Sequence, residues 1–418
     1  MADVEPLRAL HYNLDRTGGL QDVVAPPYDV IDANQRVDLE ASSPYNVVRI
    51  DLPIGIHPYD NAARLLAAWR DEGVIVRDEE PALWPIEQRY TGPDGHVRTR
   101  TGFLARVRVE DYGPGRIRPH ERTHPGPKED RLRLTRATRA NLSPIFSLFD
   151  DPAGAVTAEL GKATVKQPWG ESTDDDGTVN RLWRIEEPAT IAAIHDALQN
   201  TELLIADGHH RYETARVYAD EIGGEGPHRY VLMCLVPLED PGLTVFPTHR
   251  LLRDLRPDQH VALADALRRD FELRQLESTA ELVPVYGQPV SLGYIDAHFR
   301  QPWMLTLKDQ AIADVALSEH AAPYRRLDTA VLEALILKGA LGMNDHDIDH
   351  LAGLGYARDF DQALELVQDG DYDAAFFVAA TPIEQVREVA GAGESMPPKS
   401  TYFFPKVPTG LLFNPLSE

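Results

Sequence analysis

Short apolar runs alternate along the chain with stretches in which apolar residues recur every three or four positions. The first pattern belongs to strands and the second to amphipathic helices, so the sequence predicts a mixed α/β fold. Asn46–Leu52 alternates apolar with polar residues and reads as a strand. Asp60–Gly73 follows as a helix, with Ala62, Leu65, Leu66 and Trp69 at helical spacing and a glycine to end it. Leu83–Tyr90 and Val97–Val109 predict a hairpin about the turn Gly92-Pro93-Asp94-Gly95. Helical composition covers Glu129–Ala140, Pro144–Phe149 reads as a strand, and Glu171–Gly177 as an exposed acidic loop. A helix over Thr190–Leu198, a short strand over Leu203–Ala206 and a helix over Tyr212–Ile222 come next. Arg229–Leu238 and Leu243–Thr248 read as paired strands, Pro257–Phe271 as a helix, Ser291–Leu307 as a hairpin and Asp328–Gly339 as an amphipathic helix. The chain then predicts helix (Phe360–Val367), strand (Ala374–Ala379), helix (Ile383–Ala390) and a proline-rich loop.

With 418 residues the chain is too long for one ordinary core. The expected division is an α/β region over 1–115, a phosphate-site core over 116–255 and a second α/β region over 256–418. The 42 Lys+Arg against 66 Asp+Glu leave a formal charge of −24, which argues against nucleic acid as a partner. No run of 18 apolar residues and no basic segment followed by an apolar one suggests a membrane span or signal peptide. The one cysteine, Cys234, lies in an apolar run and reads as a buried, inert thiol. A cytoplasmic protein acting on small molecules is the expectation.

The richest chemistry lies in IADGHHRYETA, residues 205–215. An apolar strand there meets a helix within a few residues. Such a junction aims backbone N–H groups and the positive end of the helix at one point, which suits an anion. Gly208 permits a tight turn or a close ligand approach. Asp207 could cap the helix, bind Mg²⁺ or accept a proton. His209 and His210 could donate to phosphoryl oxygens or shuttle protons, and Arg211 offers a two-pronged donor. Against this stands the plain reading of an N-cap aspartate followed by solvated first-turn histidines. Four ionisable side chains at one turn favour a site.

Residues 116–139 carry eight Lys+Arg against three acids, a local +5 within an acidic chain. Lys128 and Arg131 are its candidate phosphate ligands, although several of these arginines cannot share one helical face and suit structural ion pairs. The island also holds His120-Glu121-Arg122-Thr123-His124, a match to the zinc-peptidase string H-E-x-x-H. That chemistry needs a helix, and Pro119 and Pro125-Gly126-Pro127 bracket the string, so the match is a coincidence. Glu121, a carboxylate among cations, remains a candidate base or Mg²⁺ ligand. In Met396–Gly410, Lys399, Ser400, Thr401 and Lys406 could clamp phosphates or could fasten a C-terminal arm to the core. Arg250 ends a predicted strand and could face the same cleft. Asp345–His350 resembles a metal string but sits at a helix start, where capping explains it better.

Several long segments, among them APPYDVID (25–32), HERTHPGPKEDRLRL (120–134), ADGHHRYETA (206–215) and MPPKSTYFFPKVPTGL (396–411), resemble an uncharacterised bacterial and archaeal family of unknown function. More distantly, DGHHR is similar to the Asp-Gly-His-x-Arg segment of the ADP-dependent free serine kinases, within the ParB/sulfiredoxin-like superfamily. That resemblance implies a ParB/sulfiredoxin-like core with added α/β elements, a turn that cradles nucleotide phosphates, and an upstream glutamate acting in phosphoryl transfer. It places Asp207, Gly208, His209 and Arg211 on the motif, puts His210 where the family varies, and makes Glu121 the candidate glutamate. The implied activity is a Mg²⁺-dependent phosphotransferase using ADP or ATP on a small hydroxylated metabolite such as serine. A nucleotide or phospho-metabolite sensor, or a phosphatase, is the alternative on the same pocket.

Overall fold

The strands predicted over Leu83–Tyr90 and Val97–Val109 form an antiparallel hairpin, Trp84–Thr91 with Val97–Arg108, at the heart of a nine-stranded mixed sheet. The computed structural model describes residues 2–92, 95–121 and 125–417, so the turn residues Pro93 and Asp94 lie outside the described residues. From one edge the strand order is Ile117–Arg118, Leu203–Asp207, Ile145–Phe149, Tyr230–Pro237, Val97–Arg108, Trp84–Thr91, Val179–Leu182 and Gly170–Thr173, with Val4–Glu5 also paired to Val97–Arg108. Two pairings are parallel, Leu203–Asp207 with Ile117–Arg118 and Tyr230–Pro237 with Ile145–Phe149; the others are antiparallel. This is the mixed α/β class that the alternating periodicities predict.

The chain forms two compact units. The first comprises residues 1–119, 123–244 and 405–418, and the second residues 120–122 and 245–404. In the first unit, one sheet face presents Phe103, Val107, Ile145, Phe149, Leu203, Ile205 and Met233 to a core that also takes in Val156, Leu160, Ile194, Leu198 and Tyr212 from three helices. Burying each large apolar side chain stabilises by about 1.5–3 kcal/mol, which fixes the sheet that carries Asp207. The other face holds a polar row, Ser172, Asn180, Gln88 and Arg100, each directly opposite the next in strand register and each buried.

The second unit is built on a six-stranded antiparallel sheet, ordered Phe271–Gln275, Trp303–Leu307, Ser291–Asp296, Ala374–Phe377, His249–Leu252 and Leu354–Ala357. Leu251, Ile295, Ala375 and Phe377 bury one of its faces against Ala363 and Val367 of the helix Phe360–Gln368. The helix predicted over Asp328–Gly339 begins as α at Asp328–Leu332 and widens to π geometry over Glu333–Ala340.

Three local expectations are corrected. Asn46–Leu52 contains a short helix, Val48–Asp51, in place of a strand. Asn46 is the reason: its Oδ1 accepts from Val48 N at 2.9 Å and its Nδ2 donates to Asp22 O and Val24 O, one local and two long-range bonds that outweigh a five-residue alternation. The acidic loop Glu171–Gly177 begins as the edge strand Gly170–Thr173 and turns only at Asp174–Gly177. Tyr230–Pro237 pairs with Val97–Arg108 and Ile145–Phe149, not with the strand that follows it. Cys234 is fully buried, and burial pushes its thiol up to about 12, in keeping with an inert group. Among the described residues no helix is long and apolar enough to cross a membrane.

Candidate functional site

Leu203–Ala206 is buried, and Asp207 is the first residue of its strand to reach partial exposure. At Gly208 the backbone takes φ +94°, the left-handed region that side chains with a Cβ rarely adopt, and turns directly into the helix His209–Ile222. A Cβ at this position would also lie 3.0 Å from Arg211 Nε. Glycine therefore serves twice, by allowing the turn and by letting the Arg211 guanidinium fold back over it.

That guanidinium donates from Nη2 to Asp207 Oδ2 at 2.9 Å and from Nη1 to Ser143 Oγ at 2.8 Å and to Pro144 O. Asp207 Oδ1 accepts from Lys406 Nζ at 2.8 Å, across 199 residues of sequence. Burial raises the carboxyl pKa, but Lys406 and Arg211 outweigh it and hold Asp207 well below the usual carboxylate range. The three side chains carry two positive charges against one negative. The turn thus brings two partly buried cations to a helix start with no side-chain cap, and both features favour an anion. His209 is buried at this helix start and also favours the ionised form of Asp207; His210 is half-buried beside it.

The remaining predicted residues fall into other settings. Arg131 is buried and committed: Nη1 donates to Asp51 O and Oδ1, Nε and Nη2 to Asp130 Oδ2, and its guanidinium lies 4.4 Å over the Tyr28 ring. Lys128 sits on the same helix, Pro125–Thr138, with its carbonyl accepting from Thr214 Oγ1. Arg116, Arg118, Arg133 and Arg136 pair with Glu110, Glu202, Glu129 and Glu221, so much of the basic island is balanced locally.

A second cluster belongs to the second unit. Glu121 Oε1 accepts from Lys399 N at 2.8 Å, while Met396 N donates to His120 O, so His120 and Glu121 are extended backbone beside the Met396–Thr401 segment. The helical geometry a zinc peptidase needs is thus missing from these two residues; Arg122, Thr123 and His124 lie outside the described residues. Lys399 adopts φ +58°. Ser400 and Thr401 are buried, the first sharing a hydrogen bond with Thr329 Oγ1 at 3.0 Å and the second with His120 Nε2 at 2.7 Å. Arg250 is buried as well, donating to Pro398 O and Thr248 O and lying over the Tyr356 ring. Near it, burial pushes Asp328 up to about 6, opposed by Arg250 and by the N–H groups of Thr329 and Ala379. Buried His249 is pushed down to about 4. Asp345–Asp349 is a short helix closed by a capping box from Asn344 and Asp347, as expected of a helix start. Among the described residues no group of three or more His, Cys, Asp or Glu could hold a metal ion.

Sequence reasoning missed Arg100, Gln88, Ser143 and Asp328. Alternation gave no sign of Arg100, since Arg98, Arg106 and Arg108 share its face of the strand and stay partly exposed. Ser143 and Asp328 reach their partners only through tertiary packing.

The family comparison agrees with the first of the resemblances noted in the sequence. No curated protein matches the chain. Solved structures similar to it include a conserved hypothetical protein from Pyrococcus furiosus, at 15% identity over 71% of this chain and 92% of that one, with a TM-score of 0.35. A free serine kinase variant in complex with ADP is similar at 12% identity over 71% and 89%, TM-score 0.37. SbnI with a C-terminal truncation, from Staphylococcus aureus, is similar at 12% identity over 75% and 87%, TM-score 0.39. Residues 4–330 match the family described as "Protein of unknown function (DUF1015)", and the chain belongs to that family.

Proposed function

We propose that the protein is a phosphotransferase that holds a nucleotide by its phosphates at the Asp207–Arg211 turn and phosphorylates a small hydroxylated metabolite. One observation carries this reading: Asp207 is held between two cationic side chains, Arg211 and Lys406, at a helix start with no side-chain cap. Phosphoryl transfer needs positioning and charge neutralisation more than covalent chemistry, and this turn offers both. In this reading Asp207 acts first by orienting Arg211 and Lys406 toward phosphate oxygens, with His209 and His210 beside them. The similarity of the Asp-Gly-His-x-Arg segment to the free serine kinases points to ADP or ATP as donor. Both Asp207 oxygens accept from cations, so Mg²⁺ would be held chiefly by the phosphates. Glu121 is the candidate to take the proton of the acceptor hydroxyl, and Lys128 and Lys399 are candidate further phosphate ligands, whereas Arg131, Arg250, Ser400 and Thr401 are held by the buried contacts described above. The same occupancy of Asp207 also favours a second reading, a sensor that binds the nucleotide without turnover.

Incubation with ADP or ATP, Mg²⁺ and a panel of hydroxylated metabolites including serine tests the proposal. A phosphorylated product is expected from the wild type. Glu121→Ala should lower turnover at least about 100-fold, the usual scale for a general base, while nucleotide affinity stays within about threefold. Binding without turnover in the wild type would favour the sensor. Phosphate released from phosphoserine without nucleotide would favour a phosphatase, and no binding and no turnover would end the reading.

A further inference from the structure

The buried polar row of the first unit ends in a charge that the proposed chemistry does not use. Arg100 is 1% exposed, and among the described residues it has no carboxylate ion-pair partner. A guanidinium is costly to bury without an acid, and burial lowers its pKa accordingly. Its contacts show what it is directed at. Nη2 donates to Pro405 O at 2.6 Å and to Gln88 Oε1, and its plane lies 4.4 Å over the Phe146 ring, whose residue is opposite Asp207 in strand register. Gln88, also 1% exposed, donates from Nε2 to Lys406 O at 2.9 Å and to Asn180 Oδ1 at 2.7 Å.

Two consecutive carbonyls, those of Pro405 and Lys406, are thus gripped by two buried side chains that also bond each other. The Lys406 ammonium, leaving the chain between these grips, meets Asp207 at 2.8 Å. Holding the carbonyls on both sides of the Lys406 Cα fixes the point and direction from which its side chain reaches Asp207. A hydrophobic pair opposite one another on the two strands would stabilise the sheet as well, at no desolvation cost. The retained polar pair therefore points to a geometric role.

We propose that Arg100 and Gln88 are positioning residues, forming a clamp on the Pro405–Lys406 backbone that aims the Lys406 ammonium at the Asp207 turn. As a device of the phosphate site this rests on the proposed function, but the clamp itself can be tested without it. The probe is brief acylation with an amine-reactive ester, followed by peptide mass spectrometry, with exposed Lys162 as internal reference. In the wild type Lys406 should react at least about tenfold more slowly than Lys162. In Gln88→Met and Arg100→Lys, which keep volume or charge but lose the grip, Lys406 should react at least about fivefold faster than in the wild type, with Lys162 unchanged. Both variants should retain a cooperative unfolding transition, and their affinity for Mg²⁺–ADP should fall about three- to tenfold. Unchanged Lys406 reactivity in the folded variants overturns the clamp, and so does loss of folding in both, because the residues would then be structural alone. If the wild type binds no ADP but the reactivities change as stated, the phosphate reading fails and the clamp stands.

Discussion

Asp207→Ala is expected to destabilise the protein by at least about 3 kcal/mol at pH 7, more than loss of an exposed ion pair would cost. The substitution leaves Arg211 and Lys406, both largely buried, facing each other without their shared carboxylate. Removing one partner of a buried pair typically costs about 3–5 kcal/mol, because the remaining charge stays desolvated and unpaired, whereas surface pairs contribute at most about 1. The pH dependence carries a sign that checks the cause. Asp207 has a folded-state pKa below its unfolded value, so its stabilisation is present above about 3.8 and is lost as pH falls through the folded value. Urea unfolding of the two proteins at pH 7 and pH 3 should therefore show the gap narrowing in acid. A gap below about 1 kcal/mol at pH 7 would mean that the triad is exposed and loosely made.

Asp328→Asn is expected to act in the opposite direction. Burial pushes this carboxyl up to about 6 from 3.8, so at neutral pH the folded protein carries an ionised group that it holds at a disadvantage. A raised folded pKa means that the native state binds the proton more tightly, and stability falls as pH rises from about 4 to 6. The shift of about two units corresponds to about 3 kcal/mol at most. Asparagine carries no charge and can still accept from one of the Thr329 and Ala379 N–H groups. Relative to the wild type, the variant should gain about 2–3 kcal/mol on going from pH 4 to pH 8. Comparing the two proteins against each other removes the contribution of His249, whose lowered pKa costs stability in acid over an overlapping range. A difference independent of pH would show that Asp328 ionises normally.

Much of this fold is readable from local pattern, because its strands and helices keep their periodicities. The hairpin Trp84–Thr91 with Val97–Arg108 and the strand–turn–helix at Asp207 are of this kind, each being set by residues within about ten positions. Asn46–Leu52 shows the limit: one asparagine with three side-chain hydrogen bonds to the backbone redirects a segment that otherwise alternates well. The motif Asp207–Arg211 was legible as chemistry because glycine and arginine act there over four residues. The partnership of Asp207 with Lys406 was not, since 199 residues separate them and only packing brings the C-terminal arm to that sheet. Of the two readings offered for that arm, a phosphate clamp and a fastening, the fastening is seen directly. Pro405 and Lys406 are fastened through their carbonyls, and the lysine side chain pairs with Asp207.

The central claim is that the Asp207–Arg211 turn binds nucleotide phosphate. Calorimetric titration of Mg²⁺–ADP into the wild type and into Arg211→Met tests it most directly. The account predicts saturable binding of one nucleotide per chain to the wild type and at least about tenfold weaker binding to the variant, as expected for loss of a charged hydrogen-bond donor worth about 1.5–3 kcal/mol. Equal affinity in the two proteins, or no binding by the wild type, would contradict it.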